Sequence, residues 1–346
     1  MKNIIISTIL TGVLSSTAYA GQVQLNVGTD YNNDGDSLTE VFDQLGFSGT
    51  LSTSFYETVA VLDTNGDPVL DTNGDPVRVL TGEVTDTNIR STMDTLGFND
   101  ALQTAIDGIT TVDYLPNSSG VSPYQYPDVP EQNNIDTLNF IGTPGNEAFN
   151  TNFPGALEGW GLTFEYEISG TLDLVNETSN FNDGSFNAFF YDIATVNAAT
   201  GGSISKEDAI NANKIQVLQL DVTSSFNNAG GLFINGDINY DFDGDGVDND
   251  TGTLAQNFLI DVDTGESYYD LWKLNEAPEL TWFLDTNVEP VIPDETELVA
   301  TQDGSGRVYR QATLDGSVVF NVPEPTSIAL MGLGLLGLGA SRRKIA

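Results

Sequence analysis

The chain has 346 residues, with 50 acidic against 11 basic residues and a net charge of −39, and it contains neither histidine nor cysteine. That excludes a disulfide framework, thiol catalysis, His-based triads and ordinary zinc sites. It also argues against nucleic acid or an anionic lipid surface as partner. Hydrophobic residues make up 39% and aromatic residues 10%, so the composition is that of a packed protein rather than a disordered one. Asp outnumbers Glu, 33 to 17. The shorter carboxylate suits turns and cation-binding loops, so any bound metal is expected to be a hard, oxygen-ligated cation such as Ca2+.

Residues 1–20 read as a secretion signal. Lys2 precedes an apolar run from Ile4 to Leu14, and Ala18-Tyr19-Ala20 fits the small-x-small cleavage rule. The mature chain would begin at Gly21. Residues 21–114 read as a mixed α/β region. Gln22 to Val27 is expected to be a strand. Ser37-Leu38-Thr39-Glu40 is a capping-box pattern and predicts a short helix to Leu45, closed by Gly46. A second helix is expected from Asn88 to Leu96, closed by Gly97. Between them lies a tandem repeat: Asp63-Thr-Asn-Gly-Asp-Pro-Val is followed by Asp71-Thr-Asn-Gly-Asp-Pro-Val. Proline at 68 and 76 stands where a calcium loop needs glycine, and Asn-Gly is a hairpin-turn signal, so the repeat reads as a lengthened hairpin.

Residues 115–135 are rich in Pro, Ser and Asn and read as a linker. Residues 136–321 are written for β-structure. Trp160, Leu162, Phe164, Tyr166 and Ile168 alternate with smaller or polar residues, as do Leu232, Ile234, Ile238, Tyr240 and Phe242. Further strands are expected near 186–193, 214–222, 257–262, 267–274, 280–284 and 306–320, with a short helix at Lys206 to Asn213. The fold class is mainly β: a β-sandwich or jelly-roll-like domain, a smaller mixed N-terminal part and a short C-terminal hydrophobic helix.

Two segments carry metal-ligand spacing. In Asp241-Phe-Asp243-Gly-Asp245-Gly-Val-Asp248-Asn-Asp250, alternate carboxylates converge if the backbone curls at Gly246. This resembles the first half of an EF-hand-type loop and thrombospondin type-3-like acidic repeats. Position 12 is Gly252 rather than Glu, so Asp248 or Asp250 would have to complete the set. The second is Asp30-Tyr-Asn32-Asn-Asp34-Gly-Asp36. The alternative for the first is an acidic loop joining two strands.

Residues 322–346 form a tripartite tail: Pro323-Glu324-Pro325, an apolar run from Ile328 to Ala340, then Arg342-Arg343-Lys344. The run is about 13 residues, or roughly 20 Å as a helix, short for a stable span, and the basic cluster favours the cytoplasmic side. Its glycines match a dinucleotide-binding pattern only superficially, since no strand precedes them. The tail resembles a PEP-CTERM sorting signal. The resemblance implies passage through the secretion machinery, transient anchoring in the inner membrane, and processing by an exosortase-type protease that recognises Pro-Glu-Pro. Such hosts usually make exopolysaccharide. With both ends removed, seven basic residues face 49 acidic ones, near −42.

Within the body, Gly159-Trp-Gly-Leu-Thr163, Ser267-Tyr-Tyr-Asp-Leu-Trp272, Leu284-Asp-Thr-Asn287 and Thr313-Leu-Asp-Gly-Ser317 resemble flocculation-associated PEP-CTERM proteins. That implies a non-catalytic role at the cell surface or in the extracellular matrix, in exopolysaccharide association, biofilm or flocculation, with divalent cations bridging its carboxylates to acidic polysaccharide. The alternatives are a carbohydrate-binding module, with Tyr268, Tyr269, Trp272 and Trp282 as stacking candidates against a core role, or a polysaccharide hydrolase using Glu165 and Glu167 on one strand face. The hydrolase reading lacks a completed acidic constellation.

Overall fold

The computed structural model describes residues 22–97, 137–140, 159–176, 178–200, 206–228, 231–244, 252–274, 279–285, 298–301 and 303–320. The signal segment, the 115–135 linker and the C-terminal tail with its expected helix lie outside these. In chain order the strands are β1 (Val23–Leu25), β2 (Gln44–Ala60), β3 (Arg78–Thr87), β4 (Thr137–Phe140), β5 (Trp160–Asp173), β6 (Thr178–Asp192), β7 (Ile215–Asn228), β8 (Gly231–Asn239), β9 (Leu259–Asp261), β10 (Glu279–Asp285), β11 (Val299–Ala300) and β12 (Val308–Val319). The helices are α1 (Arg90–Thr95), α2 (Ile193–Thr200), α3 (Lys206–Asn213), α4 (Thr253–Phe258) and α5 (Tyr268–Lys273).

The protein is mainly β, as expected, and its principal sheet closes on itself. Each strand pairs antiparallel with the next around the order β2-β3-β5-β6-β7-β8-β10-β12, and β12 returns to pair with β2. Short β4 occupies the same rung as β3. β3 bridges β2 and β5 at Thr53–Ala60 and Glu167–Thr171, while β4 bridges them at Leu45–Gly46 and Leu162–Thr163. Where β3 leaves the rung, the Asn88 side chain stands in for a strand peptide. It accepts from the Tyr166 amide at 2.7 Å and donates to the Phe164 carbonyl at 3.1 Å. The opposing walls share one core, as the faces of a sandwich would, but the ring has no seam between two sheets.

Closure also joins the two expected halves. β2 and β3 come from 21–114 and pair with β5 and β12 from 136–321, and one cluster holds Leu45, Phe47, Tyr56 and Val84 together with Phe164, Phe186 and Val318. Strands from both regions thus share one sheet and one core cluster. Period two on β5 places Trp160, Leu162, Phe164, Tyr166 and Ile168 in that core, each at most 1% exposed. Phe164 stacks on Phe186 at 5.3 Å and meets Phe47 at 4.6 Å. The outer wall is covered locally. Met93 of α1 packs on Phe55 and Tyr309, and α2 and α3 bring Ile193, Val196, Ala209 and Ile210 against Tyr191.

Three local expectations are corrected. Residues 37–43 are extended instead of helical: Thr39 exchanges bonds with Leu25, through its amide to the Leu25 carbonyl and through its Oγ1 from the Leu25 amide, both at 2.9 Å. Pairing with β1 overrides the capping box, and Gly46 lies inside β2. Residues 268–273 are α5 rather than strand, because Ser267 caps the helix by accepting from the Asp270 amide at 3.1 Å. The 257–262 strand shrinks to β9, since α4 takes Asn257 and Phe258. The Asn88–Leu96 helix shortens to α1, with Gly97 left-handed at φ +88° as expected of a helix end. Helix α3 has the expected bounds.

The tandem repeat does lengthen the β2–β3 hairpin. Val61, Val69 and Val77 form a closed triangle of backbone hydrogen bonds, each 2.8 Å, and each octapeptide folds back as its own turn. The Asp63 and Asp71 carboxyls are held below the usual Asp range by backbone amides, chiefly those of Asp67 and Asp75.

One polar cluster sits inside the core. The buried Asp86 carboxyl accepts from the hydroxyls of Tyr166 (2.5 Å), Ser52 (2.6 Å) and Ser54. Its donors come from β2 and β5, so the cluster fastens three neighbouring strands. Tyr166→Phe removes one donor to a buried carboxyl and is expected to cost about 1.5–3 kcal/mol of unfolding free energy, measured by denaturant titration of the mature chain. An unchanged midpoint would contradict this account of the cluster.

Candidate functional site

Strand direction brings the sequence's acidic turns to one end of the ring. The start of β2, the start of β5, the end of β6, the end of β8 and the end of β12 all lie there, as the registers Gln44↔Val319, Trp160↔Asp192 and Gln219↔Asn239 require. The two-stranded sheet β1–β9 and helices α4 and α5 close this end. Their Val23, Leu25, Phe258, Leu259, Tyr268 and Tyr269 belong to the main core cluster.

The first acidic turn follows β1. Asp30 accepts from the amides of Asp34 (3.2 Å) and Gly35 (3.0 Å), Asn32 Oδ1 accepts from the Asp34 amide (2.9 Å), and Asp34 accepts from the Asp36 amide (3.2 Å). Asp36 in turn accepts from the Leu38 amide at 2.9 Å. Gly35 takes φ +111°, as the loop spacing anticipated, and Asn33 is also left-handed at φ +61°. The second acidic turn follows β8. The Asp241 amide donates to Asn239 Oδ1 at 2.8 Å, and the chain turns at Gly244, whose φ is +72°. Asp243 is exposed. Asp245, Asp248 and Asp250, with Gly246, lie outside the described residues. Among those described, no three acidic side chains come together to hold a metal ion. Asp30, Asn32, Asp34 and Asp36 thus share one turn, with their oxygens directed at backbone amides.

Beside the first turn lies a half-open cleft of about 440 Å³, lined by Asn26–Thr29, Tyr31, Phe190, Asp192, Thr253, Leu254 and Asn257. Asp192, the last residue of β6, ties it together. One oxygen accepts from the Tyr31 hydroxyl at 2.8 Å and the other from the Thr195 amide at 2.7 Å. Burial, then the Asp192 bond, pushes the Tyr31 hydroxyl above its ordinary range. Burial also works to raise Asp192, but the Thr195 and Tyr31 bonds outweigh it and hold the carboxyl below the usual range. Composition and spacing missed this site, because its residues come from three distant segments. The one local signal was Asp192 followed by Thr195, an N-terminal cap pattern.

The other candidates are placed as follows. Glu165 pairs with Lys214, whose ammonium also lies 4.2 Å from the Phe189 ring centroid, and Glu167 accepts from the Thr92 hydroxyl at 2.8 Å. Both face away from the core. Tyr268 and Tyr269 are buried, and Trp272 packs on Tyr240 and Tyr269 at 5.8 and 6.1 Å, so these three serve the core. The Trp282 side chain lies outside the description, as do Ala18, Ala20, Pro323, Glu324, Pro325, Arg342 and Arg343. Among the described residues no helix is long and apolar enough to cross a membrane.

The depressed Asp192 value fixes a sign. Its contribution is fully present above the unfolded value of about 3.9 and is lost as pH falls through the lower folded value. Asp192→Asn is expected to lower stability at pH 7 by less than about 1 kcal/mol, since the group is partly exposed. The difference from the parent should shrink as pH falls below 4 in thermal melts; a gap that widened on acidification would contradict the assignment.

Comparison with known proteins adds one finding and two blanks. Residues 321–344 match the PEP-CTERM protein-sorting motif. No curated protein and no solved structure matches the chain. The described ring ends at Phe320, whose amide bonds the Asp43 carbonyl at 3.1 Å, so the matched segment begins at the residue following the closed end of the ring. The chain therefore carries, directly after a closed β ring, the PEP-CTERM protein-sorting motif of exported proteins that are anchored transiently in the membrane and processed by exosortase.

Proposed function

We propose that the mature protein is a non-catalytic component of the cell surface or extracellular matrix, associated with exopolysaccharide and supported by calcium. The observation that carries this reading is the sorting motif joined to so acidic a body: 50 acidic residues against 11 basic, on a chain routed outward. A surface of that charge repels acidic glycans unless divalent cations neutralise it. The turn after β1, with Asp30, Asn32, Asp34 and Asp36, and the acidic sequence that follows β8, with Asp241, Asp243, Asp245, Asp248 and Asp250, offer oxygen-rich sequence for that purpose. Cation bridges between carboxylates and acidic polysaccharide, or between neighbouring copies, give adhesion, biofilm cohesion or flocculation.

A hydrolase is the weaker reading. Glu165 and Glu167 lie on the outer face and are engaged by Lys214 and Thr92. A carbohydrate-binding role is favoured by a different feature, the polar cleft at the closed end.

The test is made on native cells washed and treated with a calcium-selective chelator while magnesium is held in excess. The mature protein, followed by its tail-less mass, is expected to move from pellet to supernatant as cell aggregates loosen. Protein already free in the medium, and indifferent to chelation, would overturn the matrix reading.

A further inference from the structure

We infer that the cleft between β1, the end of β6 and α4 binds a neutral, hydroxyl-rich sugar unit. The cleft holds about 440 Å³, inside the range of about 300–1,000 Å³ typical of small-molecule sites. No Lys or Arg lines it, and the chain carries −39, so an anion finds no partner there. One carboxyl, Asp192, lines it, too few oxygens of the right charge for a dedicated calcium cage, which takes 6–8 oxygen ligands. Six of its ten lining residues are polar, so a purely apolar ligand would strip water from them and give no hydrogen bond in return.

What remains is a neutral molecule with many paired donors and acceptors and some apolar surface. The polar groups are arranged for that. Asp192 is oriented by the Tyr31 hydroxyl and the Thr195 amide, yet a carboxylate offers about four lone-pair sites and keeps capacity for hydroxyl donors. Asn257 uses its NH2 group on the Thr253 carbonyl at 2.9 Å and keeps its Oδ1 as an acceptor. Asn26 is the complement. Its Oδ1 is occupied by the Gly28 amide (3.1 Å) and the Ser37 hydroxyl (2.7 Å), which leaves its NH2 as donor. Each of these residues is held by at least one bond, and together they supply both acceptors and a donor for a hydroxylated ligand. Leu254, partly exposed, supplies apolar surface for the C–H face of a sugar ring, backed by the buried Val27 and Phe190. Gly28 helps shape the floor: it is left-handed at φ +73°, and a Cβ there would stand 3.3 Å from Leu254 Cδ1.

The cleft's chemistry stands on these residues; its biological meaning, a direct grip on matrix glycan, rests on the matrix reading above. The test is saturation-transfer NMR on the mature protein with glucose, galactose, mannose and a neutral disaccharide as probes, and glucuronate as charged comparator. At least one neutral probe is expected to bind in the millimolar range, with affinity falling at least tenfold in both Asp192→Asn and Asn257→Ala. Asn257 is exposed and bonds only its own helix, so its variant keeps the test valid should Asp192→Asn misfold. Binding of no neutral probe more tightly than about 10 mM, binding of glucuronate alone, or affinity indifferent to Asn257→Ala would each overturn the proposal. Such a failure leaves the chelation result standing, and release of the protein into the medium leaves sugar affinity measurable.

Discussion

The pairing of β12 with β2 is the constraint on which the rest of the structure depends. Eleven residue pairs, from Val308↔Tyr56 to Val319↔Gln44, join the last strand of the body to the first long one. Without that seam the sheet would present two long edges, each a row of unpaired amides and carbonyls open to another chain. With it, β2 is held on both sides, and the Asp86 cluster that links β2, β3 and β5 gains a rigid wall. For an exported chain without cysteine, closure by backbone pairing takes the place that disulfides hold in many secreted domains.

Closure also separates two ends of different character. One end is plugged by β1–β9, α4 and α5, bears both acidic turns and the polar cleft, and is where the described ring ends at Phe320. The other carries the octapeptide clover at the β2–β3 tip, with Leu62 and Leu70 each 57% exposed. The first acidic turn and the polar cleft thus lie at the end where the described ring stops and the matched sorting segment begins.

The sequence made local features legible where one face of an element is buried against a single neighbour. The alternation on β5 and β8, the bounds of α3 and the hairpin nature of the repeat all follow from period and turn chemistry. Most of what was not legible depends on partners remote in the chain. Ser37-Leu-Thr-Glu40 has the local chemistry of a helix start, but Leu25 offers Thr39 two hydrogen bonds in an extended form. Tyr268 to Trp272 is a short aromatic run, in which strand and helix cannot be told apart by period; the Ser267 cap decides it. The cleft was hidden for the same reason, since Asn26, Asp192 and Asn257 are brought together only by the ring and its plug. The acidic turns were visible as spacing, yet spacing does not say whether the oxygens face a cation or the backbone, and in the first turn they face the backbone.

The seam itself can be measured directly, because the chain has no cysteine to confuse a cross-link. Gln44 and Val319 are register partners, and directly opposed strand residues lie about 4.5–5.5 Å apart between Cα atoms, within the span of a disulfide. The mature protein carrying Gln44→Cys and Val319→Cys is predicted to form an intramolecular disulfide under mild oxidation and to melt at a higher temperature than its reduced form. Two thiols that stay free in the folded, oxidised protein would show that β2 and β12 do not meet, and the ring, the shared core and the placement of the acidic end would fall with them.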